Sequence, residues 1–369
     1  MTYDEEARPD TSVALSGARA AAGRRASGRT NGTSGPRAAM PGDTIVASSV
    51  GDATGISTPV AEAALQGLLA PRKTLPPSLF YDEEGCHLFY EITKLPEYYL
   101  TRTEFRLLET TAPEVAALLP SGATLVEYGA SDETKAEMLL RQTVPGEAGA
   151  DTSVFRTYIP IDVAAPALRA MRDRLAVRRP GLAVRPVTAD FLRPIQLPER
   201  DGETAIMGFF PGSTIGNLEP DAAVAFLRRA RATLGHGARF LLGFDTCRDP
   251  DRLIPAYDDH AGITARFNRN LLVRLNREAG ATFDPEAFAH LAVWNEAESR
   301  IEMHLVNRSV RTVMVAGQPI RFSRDETIHT ENSYKYAPTR MRAMIQAAGW
   351  STVKTWSDSN GLFAIWLLD

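Results

Sequence analysis

The chain has 369 residues, a formal net charge of −4 and 44% hydrophobic content. That length supports two domains, or one domain with a large insertion, and the apolar share can fill a core. The slight acidity gives no general attraction to nucleic acid or anionic membrane, so neither is an expected partner. Cys86 and Cys247 are too few for a disulfide scaffold, which points to a reducing compartment with both thiols as small buried apolar groups. No run approaches the roughly 20 apolar residues of a membrane helix, and no apolar signal-peptide core stands near the N-terminus. A soluble cytoplasmic protein, monomeric by default, is the expectation.

Residues 1–44 differ in composition from the rest. The stretch Ser16–Gly42 is rich in Ala, Arg, Gly, Ser and Thr and lacks aromatics, so it cannot offset its ordering entropy and is predicted to be disordered. A dispensable extension, or an over-long start with Met40 as the initiator, outweighs a targeting or nucleic-acid tail.

Residues 60–110 are predicted helical and carry the aromatics Phe80, Tyr81, Phe89, Tyr90, Tyr98 and Tyr99. Alternation follows. Thr124–Tyr128 is a strand that ends at Gly129, and the next helix places Ala136, Leu139 and Leu140 on one face. A strand over Thr157–Ile161 leads to a helix from about Pro166 to Val177. Strands Leu182–Val187 and Ala205–Phe210 come next. A helix opened by Pro220 carries Val224, Leu227, Ala230 and Leu234 inward, and a strand Arg239–Phe244 follows. Strands and helices alternating in this way imply right-handed βαβ units and a parallel sheet.

The alternation stops after Asp245. Residues 246–290 read as mostly helical, and Arg300–Val306 with Arg311–Val315 reads as a hairpin. A helix from Pro338 to Ala348 turns Met341, Met344, Ile345 and Ala348 inward and is stopped by Gly349. Strands near Thr352–Trp356 and Leu362–Leu367 close the chain. A reversed hairpin at the end of a doubly wound sheet resembles a class I, Rossmann-like methyltransferase. The expected α/β organisation is a cofactor domain from 110–245 with 336–369, and a substrate domain from 45–109 with 246–335.

Ligands of open α/β sheets sit at the carboxyl ends of strands. The first such end, Glu127 to Lys135, has Gly129 for a tight turn but Ser131 where a second glycine would complete the fingerprint. Taken alone it fits any strand-to-helix turn. Lys135 is placed one turn into the helix, either reaching an anionic group or simply solvated. Asp162 ends the second strand, the usual place of a ribose partner, and the polar stretch Pro145–Ser153 accounts for its long distance from Gly129. Asp190 and Phe191 follow the third strand. They can bind an adenine edge and cover its face, or serve as an N-cap and core. Together these acids favour an adenosine-containing ligand. After Phe209 and Phe210 comes Pro-Gly-Ser-Thr-Ile-Gly-Asn, ending at Asn217, where two glycines admit a close ligand and three side chains offer hydrogen bonds. The arginines from Arg169 to Arg185 suit the solvent face of a helix.

Several ordered blocks carry a family resemblance: Leu79–Asp82, Leu95–Tyr99 with Thr101–Glu104, Gly212–Asn217, Phe267–Asn270, Arg300–Met303 and Thr330–Tyr336. Over roughly residues 70–369 the chain resembles the S-adenosylmethionine-dependent L-histidine Nα-methyltransferases of ergothioneine biosynthesis. The resemblance implies three methyl transfers to the α-amine of histidine, giving hercynine. It implies that Gly129, Lys135, Asp162, Asp190, Phe191, Gly212 and Thr214 bind S-adenosylmethionine. It places Tyr81, Asn217 and Tyr257 on the substrate amine and carboxylate, with Tyr81 and Asn217 as catalytic residues. Glu331 and Ser333 match the pair that reads the imidazole, and Tyr98 and Met303 match further pocket residues. The chain departs from the family at Ser131 and in its extra N-terminus. Without these blocks, Tyr81 and Tyr98 fit an aromatic core and Glu331 a surface ion pair.

Two other functions compete: methylation of another amino acid, and S-adenosylmethionine binding without turnover. The incomplete glycine fingerprint disfavours a dinucleotide oxidoreductase. The six histidines show no metal-ligand spacing, so no metal site is expected.

Overall fold

The central strands send alternate residues to opposite faces, as pleating requires. A computed structural model describes residues 58–145, 151–199 and 205–369. On Ala123–Tyr128, Ala123 and Leu125 enter one core while Val126 and Tyr128 enter another. The first core is closed by Tyr99–Ala116, Thr134–Leu140 and Ala165–Arg178 through residues such as Leu108, Leu139 and Leu168. The second is closed by Pro220–Leu234 and Pro338–Ala347 through Phe226, Leu227 and Met341. Each fully buried Leu or Phe contributes about 1.5–3 kcal/mol, so slipping the register by one residue would be costly.

The eight-stranded sheet runs Thr352–Ser357, Phe363–Leu368, Arg239–Asp245, Ile206–Phe210, Ala123–Tyr128 and Phe155–Asp162, then Ala183–Val184 and Val187–Thr188. Pairing is parallel except in the final hairpin, where Phe363–Leu368 runs antiparallel to both neighbours. This is the doubly wound order with a reversed last strand, the Rossmann-like methyltransferase fold expected from the alternation. The expected single strand Leu182–Val187 is two short pieces either side of Arg185 and Pro186. Proline has no N–H for the ladder, which breaks the strand there.

A second sheet is ordered Lys73–Thr74, Thr327–Tyr334, Arg300–Asn307, Phe288–Asn295. Ile301, Met303 and Leu305 face a third core, shared with Phe267, Leu271 and Leu275 of the helix Ile263–Glu278. The hairpin expected between Arg300–Val306 and Arg311–Val315 is not formed. Arg311–Val315 pairs with Gln318–Phe322 instead. Ala316 and Gly317, at φ 47° and 80°, supply the two left-handed positions of a type I′ turn. Arg300–Asn307 lies between Phe288–Asn295 and Thr327–Tyr334. Of the stretch read as mostly helical, Phe288 onward is already strand.

Cys247 is buried as expected, but Cys86 is exposed on the helix Glu83–Ile92. The arginine cluster is less solvated than expected. Arg174 forms two hydrogen bonds to Glu133 at 2.8 and 2.6 Å, and Arg179 pairs with Glu137 at 2.8 Å. The polar insertion is a hairpin of Thr143–Pro145 with Asp151–Ser153. The N-terminal expectation, residues 1–44, lies outside the described residues. Among the described residues, no helix is long and apolar enough to cross a membrane.

Candidate active site

The loop after Ile206–Phe210 organises the site. Gly212 and Ser213 both take left-handed backbone, at φ 77° and 58°. Such a conformation is uncommon for a serine. Its hydroxyl accepts the Asp245 N–H at 3.0 Å, which ties the loop to the end of the neighbouring strand. Gly216 is needed for a different reason. A Cβ there would lie 2.7 Å from the Tyr334 carbonyl oxygen. Glycine therefore lets the loop press against Thr327–Tyr334, the strand that carries Glu331 and Ser333.

That contact brings Asn217 to Glu331, with the Asn217 amide donating to Glu331 Oε1 at 2.8 Å. Burial pushes the Glu331 carboxyl up to about 8, against the opposing charge of Lys335. Met303 is the cross-strand partner of Glu331 and is fully covered. Tyr81 follows the short helix Pro77–Phe80. Burial raises its hydroxyl pKa, and the charges of Glu331 and Asp162 add to the rise. Tyr81 thus lies within electrostatic reach of both Glu331 and Asp162. Its ring meets Phe89 edge-on at 6.2 Å, Phe89 meets Tyr98 at 6.4 Å, and Tyr98 meets Tyr257 at 6.1 Å. Four rings form one aromatic wall.

Tyr257, last residue of the helix Pro250–Tyr257, shares a hydrogen bond of 2.8 Å with Ser333 Oγ. The buried Lys335 ammonium donates to both hydroxyls, at 2.8 and 2.9 Å, and pairs with Asp245 at 2.8 Å. Tyr99 donates to the same Asp245 oxygen at 2.6 Å.

At the first strand-to-helix turn, Lys135 is the second residue of the helix Thr134–Leu140, not one turn in. Its ammonium pairs with buried Glu104 at 2.6 Å rather than standing free. Glu104 also accepts the Gly212 N–H at 2.8 and 3.0 Å. Thr214 Oγ1 donates to the Pro211 carbonyl at 2.9 Å and holds the turn. Asp162 accepts the Ala164 N–H at 2.8 Å, and burial raises its pKa. Asp190 is exposed and accepts the Leu192 N–H at 2.8 Å. Phe191 packs against Phe210 at 5.5 Å and lies 3.5 Å from where a Gly129 Cβ would be.

These residues fit an S-adenosylmethionine. Gly129 has φ 74° and leaves the first turn bare of side chain beside the Phe191 ring. A carboxylate stands at the end of the second strand and another just past the third, where the hydroxyls and base of a nucleoside would fall. Ser131 does not have a positive φ, so the missing second glycine meets no backbone demand at that position.

Sequence reasoning assigned no role to Glu104, Asp245 or Lys335, three buried charges that join the expected residues together. The only signals were that Glu104 and Lys335 fall within motif blocks and that Asp245 stands at the carboxyl end of an expected strand. Among the described residues, one cluster could hold a metal: Glu302, His304 and His329, with ligand atoms within 4.8 Å of one another. Glu302 and His304 alternate with Met303, so they point away from the pocket. Arg300 already pairs with Glu302 at 2.7 Å.

The strand order and the loop-borne acids define a Rossmann-like methyltransferase domain. A family model described as histidine-specific methyltransferase, SAM-dependent, matches residues 60–369. The histidine N-alpha-methyltransferase of Mycolicibacterium smegmatis is 41% identical over 302 residues, 81% of this chain and 91% of that protein. That of Mycobacterium tuberculosis is 38% identical over 301 residues, again 81% of this chain and 91% of the relative. Among solved structures, an S-adenosylmethionine-dependent methyltransferase from Clostridium acetobutylicum is 11% identical with a TM-score of 0.43, covering 77% of this chain and 98% of that one. The chain belongs to the S-adenosylmethionine-dependent, histidine-specific methyltransferase family.

Proposed function

We propose that the protein transfers three methyl groups from S-adenosylmethionine to the α-amine of L-histidine, giving hercynine in ergothioneine biosynthesis. The observation that carries this reading is the pairing of Asn217 with Glu331 at 2.8 Å, directly beside the Tyr257–Ser333 pair. It supplies a carboxylate and a hydroxyl for an imidazole, next to groups suited to an amino acid's own amine and carboxylate. A site built to bond two ring nitrogens rejects rings that lack them, because its buried polar groups would go unpaired.

Bound S-adenosylmethionine supplies the electrophilic methyl. The chain's task is positioning. A peptide α-amine has a pKa near ~7.7–8.0 and the neighbouring carboxylate of a free amino acid raises it, so the amine must lose its proton before it can attack. Tyr81 and Asn217 orient the nitrogen lone pair, and water takes the proton before each transfer. Asn217 donates to the substrate carboxylate, with Tyr257 beside it. Glu331 accepts one ring N–H and Ser333 serves the other nitrogen, with Tyr98 and Met303 shaping the wall. Gly129, Asp162, Asp190 and Phe191 hold the nucleoside, while Lys135, Gly212 and Thr214 form the boundary between the two ligands. The separate core of Ala61–Leu100 with Cys247–Ile328 supports two domains, one for substrate and one for cofactor.

Incubating the protein with L-histidine and S-adenosylmethionine tests the reading by mass spectrometry. A product heavier by three methylenes is expected. Cofactor binding without methylated histidine would favour a binding protein, and a preferred second amino acid would move the substrate assignment.

A further inference from the structure

We infer that Lys335 is a positioning residue that fixes the direction of the hydrogen bonds at Tyr257 and Ser333, so that this corner of the pocket presents an O–H donor and selects the neutral imidazole ring. The inference rests on the proposed histidine pocket and deepens it.

Proton counting carries it. Lys335 has three N–H donors and no acceptor. All three are spent, on Asp245 Oδ2 at 2.8 Å, Tyr257 OH at 2.8 Å and Ser333 Oγ at 2.9 Å. Each hydroxyl therefore accepts from the lysine. The two hydroxyls also bond each other at 2.8 Å, which consumes one of their two protons. One O–H remains for a ligand. When Tyr257 donates to Ser333, both serine lone pairs are filled and Ser333 can only donate. When Ser333 donates to Tyr257, the tyrosine takes the donor role. A ring nitrogen with a lone pair completes the first arrangement. Imidazolium carries N–H on both nitrogens and meets a donor with a donor.

The charges around Lys335 hold the arrangement in place. Asp245 faces it from the end of Arg239–Asp245, locked by N–H donation to Ser213 and by the Tyr99 hydroxyl. Cys247 follows on the same loop and donates its N–H to Asp245 Oδ1 at 2.9 Å. Tyr98 packs against Tyr257 from the start of Tyr99–Ala116. Glu331 and Ser333 lie on the strand that precedes Lys335. The lysine and Asp245 side chains are wholly covered, so solvent does not compete for the three donors.

The test compares Lys335→Met with Lys335→Gln. Both remove the charge, but only glutamine keeps an NH2 that can donate to both hydroxyls. KM for L-histidine is measured from pH 7.5 to 5.5, with kcat followed separately. Loss of the Lys335 charge acts on Glu331 alike in both variants, so the ratio of the Lys335→Met KM to the Lys335→Gln KM isolates the ring. A ring with pKa near ~6.5 is about tenfold scarcer in neutral form at the lower pH. That ratio should fall by up to about tenfold from pH 7.5 to 5.5, as the corner of Lys335→Met becomes able to accept. Parallel profiles for all three proteins, or the same change in both variants, overturn the inference. If Lys335→Met does not fold, Tyr257→Phe and Ser333→Ala take its place. The first frees one Ser333 lone pair, so the corner becomes able to accept and the profile should flatten in part. The second removes the hydroxyl facing the ring and should flatten it more, and a wild-type profile in either variant overturns the inference. Wild-type protein that leaves histidine unmethylated overturns the pocket reading as well. Wild-type protein that makes hercynine with unchanged profiles in the variants overturns the lysine's role alone.

Discussion

Asn217 donates its side-chain amide to Glu331 Oε1 across 2.8 Å, although 114 positions separate the two in sequence. The bond occupies one carboxyl oxygen and leaves the other for a ligand. Replacing Glu331 by Ala should lower kcat/KM for histidine by about 10- to 150-fold, corresponding to about 1.5–3 kcal/mol for a hydrogen bond to a charged group. Activity on an amino acid with a hydrocarbon ring, such as phenylalanine, should fall far less. Steady-state kinetics on both substrates measure the ratio. Unchanged activity on histidine would mean that Glu331 does not read the ring.

The same burial makes the ligand-free protein sensitive to pH. Burial pushes both Glu331 and Glu127 up to about 8, the latter despite the Tyr158 hydroxyl donating to it. An unfolded glutamate titrates near ~4.3. Between these values the folded state holds more protons than the unfolded state, so stability falls as pH rises. The contribution is complete below about pH 4.3 and is lost as pH climbs through about 8. Melting temperatures from pH 5 to 8 should therefore decline, and Glu331→Gln, which cannot ionise, should show a shallower decline. Parallel curves for the two proteins would place Glu331 in a wetter setting than the structure gives it.

Much of the fold was legible because the sheet obeys local rules. Apolar runs at Thr124–Tyr128 and Arg239–Phe244 end in turns, and Val224, Leu227 and Leu234 keep helical spacing. The strand 318–322 was missed because its alternation is short and begins beside Pro319, whereas the two-residue turn at Ala316 and Gly317 fixed the pairing. In the candidate site, Glu331 and Ser333 were singled out through motif blocks rather than through physics. A buried acid on a strand looks like a surface acid until its partner Asn217 is known to be near. Glu104 and Asp245 were missed for the same reason. Each is matched by a cation, Lys135 or Lys335, from a distant segment. Long-range charge pairing has no periodicity to read.

Gly212 offers a test of the loop independent of substrate. Its φ is 77°, and an added Cβ would stand 3.2 Å from Lys135 Nζ. Gly212→Ala pays about 1–2 kcal/mol for the left-handed backbone alone. The relief open to the chain is a shift of Lys135 or of the loop. Affinity for S-adenosylmethionine, measured by calorimetry, should drop several-fold, and Ala at exposed Gly235, also at φ 88° but with open space around it, should leave that affinity unchanged. Equal effects from both substitutions would reduce the Gly212 result to general strain.

Glu104 is the buried carboxylate on which that loop rests. It accepts the Gly212 N–H and pairs with Lys135 at 2.6 Å, and its side chain is 1% exposed against 20% for the lysine. Removing one partner of a buried pair leaves an uncompensated charge, which costs about 3–5 kcal/mol when burial is complete. Lys135 keeps some access to water, so Glu104→Ala should cost about 2–4 kcal/mol, including the cavity beneath Gly243. Lys135→Met should cost a comparable amount, because Glu104 then keeps only backbone donation. The double variant Glu104→Ala with Lys135→Met should be more stable than the sum of the single losses predicts, since neither charge is stranded. Denaturant unfolding of the four proteins gives the coupling energy directly, and additive losses would show that the two side chains act on the loop separately.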